Sequence, residues 1–184
     1  MKTLGHLIIA LAIAPATLSA QERFATRNGH INFFSSTSVE NIEADNNKVT
    51  SVFDASTGAV EFAALIKAFE FEKALMQEHF NENYMESNTH PKANFKGKVS
   101  GFSAADAGKA GSYSVDVAGD LTIHGVTKPL TTKATFVVNA DGTIKATSDF
   151  SVRPEDHGIT IPGVVRKNIA EQIKVTVDLT YARM

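Results

Sequence analysis

Histidine is the residue type in this chain best suited to chemistry near neutral pH, as a metal ligand or a proton carrier. Beyond residue 20 it occurs as His30, His79, His90, His124 and His157, and no two of these have ligand spacing on one element. They are read as scattered structural histidines, and no metal site is expected. The carboxylates are equally plain. Glu70 and Glu72 alternate with Phe69 and Phe71, the look of a solvated strand end, and Glu78 and Glu82 are spaced for a helix surface. Asp116, Asp120 and Asp178 alternate with apolar residues on wet strand faces. There is no glycine-rich phosphate loop, no Gly-x-Ser-x-Gly elbow and no His-Glu-x-x-His pair. With no cysteine, a thiol nucleophile, a disulfide framework and a zinc–thiolate site are all excluded. No catalytic residue and no cofactor is therefore expected, and the protein is read as a non-enzyme. One segment is less bland. Arg166-Lys167 follow the apolar run 159–165, which Pro162-Gly163 interrupts. Two cations at the tip of such a loop either cover an opening and meet an anionic head group or are solvated bases on a loop packed outside.

The elements that would position these residues are strands. From Tyr113, one face carries Val115, Val117, Gly119, Leu121 and Ile123 against a polar face of Ser114, Asp116, Asp120, Thr122 and His124. Ile173, Val175, Val177, Leu179 and Tyr181 alternate with Lys174, Thr176, Asp178 and Thr180 in the same way. Period-two patterning of this kind describes antiparallel strands with one dry face. Weaker copies include Leu130, Thr132, Ala134, Phe136 and Val138, joined through Asp141-Gly142 to Ile144, Ala146, Ser148, Phe150 and Val152. Upstream, Asn28-Gly29 is read as a hairpin turn into a strand over 30–36, and 56–58 as a turn into Val60, Phe62, Ala64 and Ile66. Residues 72–80 break the alternation with helix formers, and Leu75, Met76, His79 and Phe80 share a helical face. Eight or nine strands and one short helix suggest a meander closed on itself, which removes exposed edges. Such a barrel either fills itself with side chains or holds one small ligand. The small residues Gly97, Gly101, Gly119, Ala134, Ala146 and Ser148 on the inferred inner face leave room for the latter.

Composition bounds the rest. Of 184 residues, 43% are hydrophobic and 21% charged, with a net charge of −2, which suits one packed domain and not a disordered chain. Lys plus Arg number 18 against 20 Asp plus Glu, so no basic stripe points to a nucleic-acid partner. Residues 1–20 have the layout of a secretory signal peptide: Lys2, the apolar run 7–14, Pro15, and Leu18-Ser19-Ala20 before a cut near Ala20. The run falls short of the roughly 20 residues that span a bilayer. No permanent membrane anchor is expected, and residues 21–184 form one domain in the periplasm or outside the cell.

Specific segments carry a resemblance. The run from Gly119 through Leu121-Thr122-Ile123 and Gly125-Val126-Thr127-Lys128 to Pro129 resembles the central signature of the YceI-like family. Phe80 with Tyr84, Pro91 and Phe95 is similar to that family's helix-exit segment, and Gly29 to Phe33 to its opening. The resemblance implies an all-β, eight-stranded antiparallel lipocalin-like barrel with one inserted short helix. It also implies non-enzymatic binding, sequestration or transport of a long isoprenoid lipid, a polyisoprenoid or an isoprenoid quinone, as ligand and not as cofactor. With apolar faces inward, the expected lining is Val115, Val117, Leu121, Phe136, Phe150, Val175, Val177 and Leu179. Phe69, Phe71, Leu75, Met76, Phe80, Arg166 and Lys167 are expected at the mouth or lid. Two other readings stay open. One is an isoprenoid-linked enzyme or redox accessory, which needs polar residues deep in the tube; the other is a filled barrel serving as a protein-interaction module.

Overall fold

Strands with one apolar face must bury that face, and a meander long enough to curl does so against itself. The computed structural model describes residues 22–184, so the leader expected over residues 1–20 lies outside it. The strands are β1 (Arg23–Ser36), β2 (Asn41–Asp54), β3 (Ala59–Leu65), the two-residue β4 (Glu70–Phe71) and β5 (Lys92–Ser100). They continue with β6 (Gly111–Ile123), β7 (Val126–Val138), β8 (Ile144–Val152) and β9 (Ile173–Arg183). Pairing runs β1-β9-β8-β7-β6-β5-β3-β2 with every pair antiparallel, and β1 pairs back onto β2 to close an eight-stranded barrel. β4 only adds a short pairing beside β2.

Helix α1 (Ala74–His79) is shorter than residues 72–80, and it widens into a π-helical turn over Phe80–Tyr84. That turn keeps both Phe80 and Tyr84 directed at the barrel's interior. β7 and β8 do form a hairpin through Asp141-Gly142, but residues 139–143 make a longer loop in which Gly142, at φ 83°, is left-handed and Asp141 is not. Asp141 Oδ1 accepts hydrogen bonds from the Thr143 amide and hydroxyl.

Asn28-Gly29 forms no hairpin. β1 runs through it as one 14-residue strand, with register shifts against β2 on either side of Gly29. A two-residue hairpin needs positive φ at its centre, and neither residue has it. Gly29 sits close against its neighbours instead, since a Cβ there would lie 2.3 Å from the end of the Leu179 side chain and 3.3 Å from the Val49 Cβ. Of the inner-face glycines, Gly101 takes a left-handed φ of 85°, whereas Gly97 and Gly119 are a matter of close approach. Gly97 and Gly119 face each other across β5 and β6. A Cβ on Gly119 would lie 2.3 Å from the Lys96 carbonyl oxygen, and one on Gly97 would lie 2.6 Å from the Phe95 ring. The space they leave is occupied by backbone and by that ring.

The interior has two unlike ends. At one, Phe24, Phe53, Phe102, Phe136 and Tyr181 fill the barrel, with Phe53–Phe136 and Phe102–Phe136 centroids each 5.3 Å apart. These near-perpendicular rings pack as aromatic quadrupoles prefer. The other end is hollow.

Candidate functional site

The hollow is a cavity of about 310 Å³. Its barrel wall comes from inward positions toward one end of the strands: Ile31 and Phe33 on β1, Phe62 and Ala64 on β3, Leu121 and Ile123 on β6. Ile42 of β2, Ala93 of β5, Phe150 and Val152 of β8, and Ile173 and Val175 of β9 add to it. Two insertions roof it. The first contributes Phe69, Phe71, Met76, His79, Phe80 and Tyr84. Phe33 sits among Phe69, Phe71 and Phe80 at centroid distances of 5.4, 5.7 and 5.4 Å, so strand and lid share one aromatic cluster. The second insertion, between β8 and β9, contributes Ile159, Ile161, Val165, Asn168 and Ile169.

The polar lining residues are few, Ser35, Glu40, His79, Tyr84 and Asn168, and three of them are knitted to their surroundings. Asn168 Nδ2 donates to Glu40 Oε2 at 2.9 Å, and Lys73 Nζ lies 3.6 Å from Glu40 Oε1. The Ala170 amide donates to the buried Ser35 hydroxyl at 2.9 Å. Three segments distant in sequence are thereby tied around the opening: the 37–40 turn, α1 and the β8–β9 insertion.

Of the lining expected from alternation, Leu121, Phe150 and Val175 reach the cavity. Val115, Phe136 and Leu179 are buried core residues that do not line it, and Val117 and Val177 pack half-buried against that core. Alternation separates inside from outside but carries no information on depth along the tube. None of the small residues read as making room (Gly97, Gly101, Gly119, Ala134, Ala146, Ser148) lines the cavity either. Of the lid residues, Phe69, Phe71, Met76 and Phe80 line the cavity, whereas Leu75 points to solvent at 61% exposure. Arg166 is engaged by Glu155 and, at 3.6 Å, by Glu171; Lys167 is exposed, and neither lines the cavity. The loop does cover the opening, but its guanidinium is already spoken for. The expected lining also omits Ile31, Phe33, Phe62, Ala64, Ile123, Val152 and Ile173 of the wall and Ile159, Ile161, Val165 and Ile169 of the second insertion. Strand alternation already marks Phe62, Ala64, Ile123, Val152 and Ile173, and the apolar run around Pro162-Gly163 holds Ile159, Ile161 and Val165.

Beside the cavity, outside its wall, the fold gathers residues that are far apart in the chain. Ligand atoms of Glu86, His90 and His124 all lie within 4.8 Å of one another. Glu86 and His90 sit four apart on one turn, closed by the His90 amide donating to the Glu86 carbonyl at 2.9 Å. His124 occupies the β6–β7 turn, its ring 4.5 Å from that of His90. Of the other described histidines, His30 pairs with Asp45 at 2.7 Å, His79 lines the cavity, and His157 Nδ1 donates to the Val126 carbonyl at 3.0 Å while its own carbonyl oxygen meets His124 Nδ1.

Comparison with known proteins places this geometry. The model of the YceI-like domain matches residues 16–181. Two UPF0312 proteins of Pseudomonas putida are similar: that of strain F1 is 36% identical over 83 residues, 40% of this chain and 41% of that protein. That of strain W619 is 39% identical over 74 residues, 35% of this chain and 36% of that protein. In these matches the chain spans about two fifths of its curated relatives' length. Among solved structures, a polyisoprenoid binding domain from Saccharophagus degradans implicated in plant cell wall breakdown superposes with TM-score 0.76 at 15% identity. That superposition covers 89% of this chain and 99% of the other. BcnA of Burkholderia cenocepacia gives TM-score 0.68 at 16% identity, over 84% of this chain and 96% of that one. At these identities the likeness is one of fold.

Proposed function

The chain belongs to the YceI-like family, and from that premise we propose that it is a non-enzymatic carrier holding the apolar tail of an isoprenoid lipid, outside the cytoplasm once residues 1–20 are removed. The observation that carries this reading is a cavity of about 310 Å³ walled mostly by aliphatic and aromatic side chains. The S. degradans domain of the same fold, described as polyisoprenoid binding, supports the ligand class. Each methylene moved out of water into such a wall gains about 0.8 kcal/mol, so the cavity supplies affinity with little discrimination.

Size and rim set the specificity. Ligand pockets run from roughly 300 to 1,000 Å³, so this one houses the end of a long tail while the remainder leaves through the roofed opening. With Arg166 held by two carboxylates and Glu40 lying at the rim, the opening favours a neutral polar head over a phosphate. The test is organic extraction of protein purified from a bacterial host, followed by mass spectrometry. The expected result is a prenyl species at near-stoichiometric yield. A blank extract from protein that also fails to take up an added polyprenol or prenylquinone overturns the reading.

A further inference from the structure

Two non-glycine residues among those described have positive φ: Glu86 at 43° and His124 at 51°. Such conformations are strained for residues with a side chain and persist where the surroundings demand them, often at functional sites. Both belong to the Glu86–His90–His124 group. The same place holds an unsatisfied atom. His124 Nδ1 lies 3.3 Å from the His157 carbonyl oxygen, which can only accept, so Nδ1 carries the proton and Nε2 presents its lone pair. That Nε2 is buried without a hydrogen-bond partner, and it faces Glu86 Oε2 at 3.8 Å, too far for a hydrogen bond. A lone pair turned toward a carboxylate, with a second imidazole alongside, lacks a positive centre between them.

We infer that Glu86, His90 and His124 form a binding site for a divalent transition cation of the zinc class. Two imidazoles and one carboxylate are a donor set that suits zinc and its neighbours and not calcium or magnesium, which take oxygen ligands. Bonds of about 2.0–2.1 Å in a tetrahedral arrangement put ligand atoms about 3.3 Å apart. From a 4.8 Å spread, side-chain rotations of little more than an ångström complete the site, and water takes the fourth position. The outer contacts have the usual form for a metal-bound histidine. The His157 carbonyl fixes the His124 tautomer, and the His90 ring is seated on Gly125, where a Cβ would lie 2.9 Å from its Cε1. Met85 and Ile123, each next to a ligand in sequence, line the lipid cavity. An ion here therefore ties the lid segment to the β6–β7 turn, while the metal chemistry stays outside the apolar chamber.

The test uses the full chain without an affinity tag, stripped with chelator and titrated with zinc chloride by calorimetry, with cobalt(II) as a spectroscopic probe. One equivalent is expected to bind, raising the thermal midpoint, and cobalt is expected to give the intense visible bands of a four- or five-coordinate site. His90→Gln and Glu86→Gln should each weaken binding about tenfold or more. His124→Asn should do the same, since Asn accepts the left-handed backbone. Combining H90Q with H124N should abolish binding. Glu86 is exposed, so E86Q provides a folded variant even where the histidine replacements do not fold. Absence of a one-equivalent transition, or unchanged zinc affinity in E86Q and in the double variant, overturns the inference.

Discussion

Tyr181 shows what a single residue contributes to the packed end of this barrel. Its ring is 2% exposed among Phe53 and its neighbours, and its hydroxyl lies 2.7 Å from Ser51 Oγ. Ser51 has one proton, donated at 2.7 Å to the Glu61 carbonyl, so the phenol must be the donor to Ser51. Burial disfavours the charged phenolate and pushes the phenol up to about 12. Between pH 10 and 12 the unfolded tyrosine loses its proton before the folded one, so the folded state binds more protons and stability falls as pH rises. This contribution is intact below pH 10 and diminishes by on the order of 2 kcal/mol by pH 12. Tyr181→Phe should cost about 1 kcal/mol at pH 8 through the lost hydrogen bond, then draw level with or surpass the parent chain near pH 12. Urea denaturation of both proteins at pH 8, 10, 11 and 12 checks this. Parallel stability curves would refute the buried-phenol account.

At the scale of elements, β5 and β6 approach closely because neither carries a side chain where Gly97 meets Gly119. Gly119→Ala would force a methyl against the Lys96 carbonyl oxygen and the Gly97 Cα, 2.3 and 2.4 Å away. Both neighbours are backbone and cannot swing aside, so a loss of about 1–3 kcal/mol is expected from overpacking. Gly142→Ala, with open space around it, should cost only the strain of its φ of 83°. Thermal or urea midpoints of the two variants separate crowding from conformational strain. The same elements explain what could be read from sequence. β6 and β9 were legible because each buries one face and alternation reports that directly. Asn28-Gly29 misled because the same dipeptide serves hairpins and bulges, and only strand pairing tells them apart. The Glu86–His90–His124 group was invisible for a related reason. His90 precedes β5 and His124 follows β6, and only the pairing of Asn94 with Thr122 puts them at the same end of the barrel.

For the whole molecule, the choice between a filled and a hollow barrel resolves into both, at opposite ends. Phe53, Phe102, Phe136 and Tyr181 supply the stability of a solid core, while the other end trades packing for a cavity roofed by two insertions. A chain without disulfides must obtain its folding free energy from burial and backbone pairing, and a plug of large aromatics permits a void elsewhere. If this division is real, stability and lipid content must respond to different substitutions. Phe136→Ala removes a fully packed ring, and a loss of about 3–5 kcal/mol is expected. Lipid recovered per folded molecule should be unchanged, because Phe136 does not line the cavity. Ala93→Phe does the reverse: Ala93 is a half-buried cavity residue on β5. A ring there occupies the space of the tail and should cut extractable prenyl lipid about tenfold, with a stability change of no more than about 1–3 kcal/mol. Urea denaturation paired with extraction and mass spectrometry on both variants reads the two quantities independently. Lipid loss in the Phe136 variant together with lipid retention in the Ala93 variant would place the ligand elsewhere and undo the division.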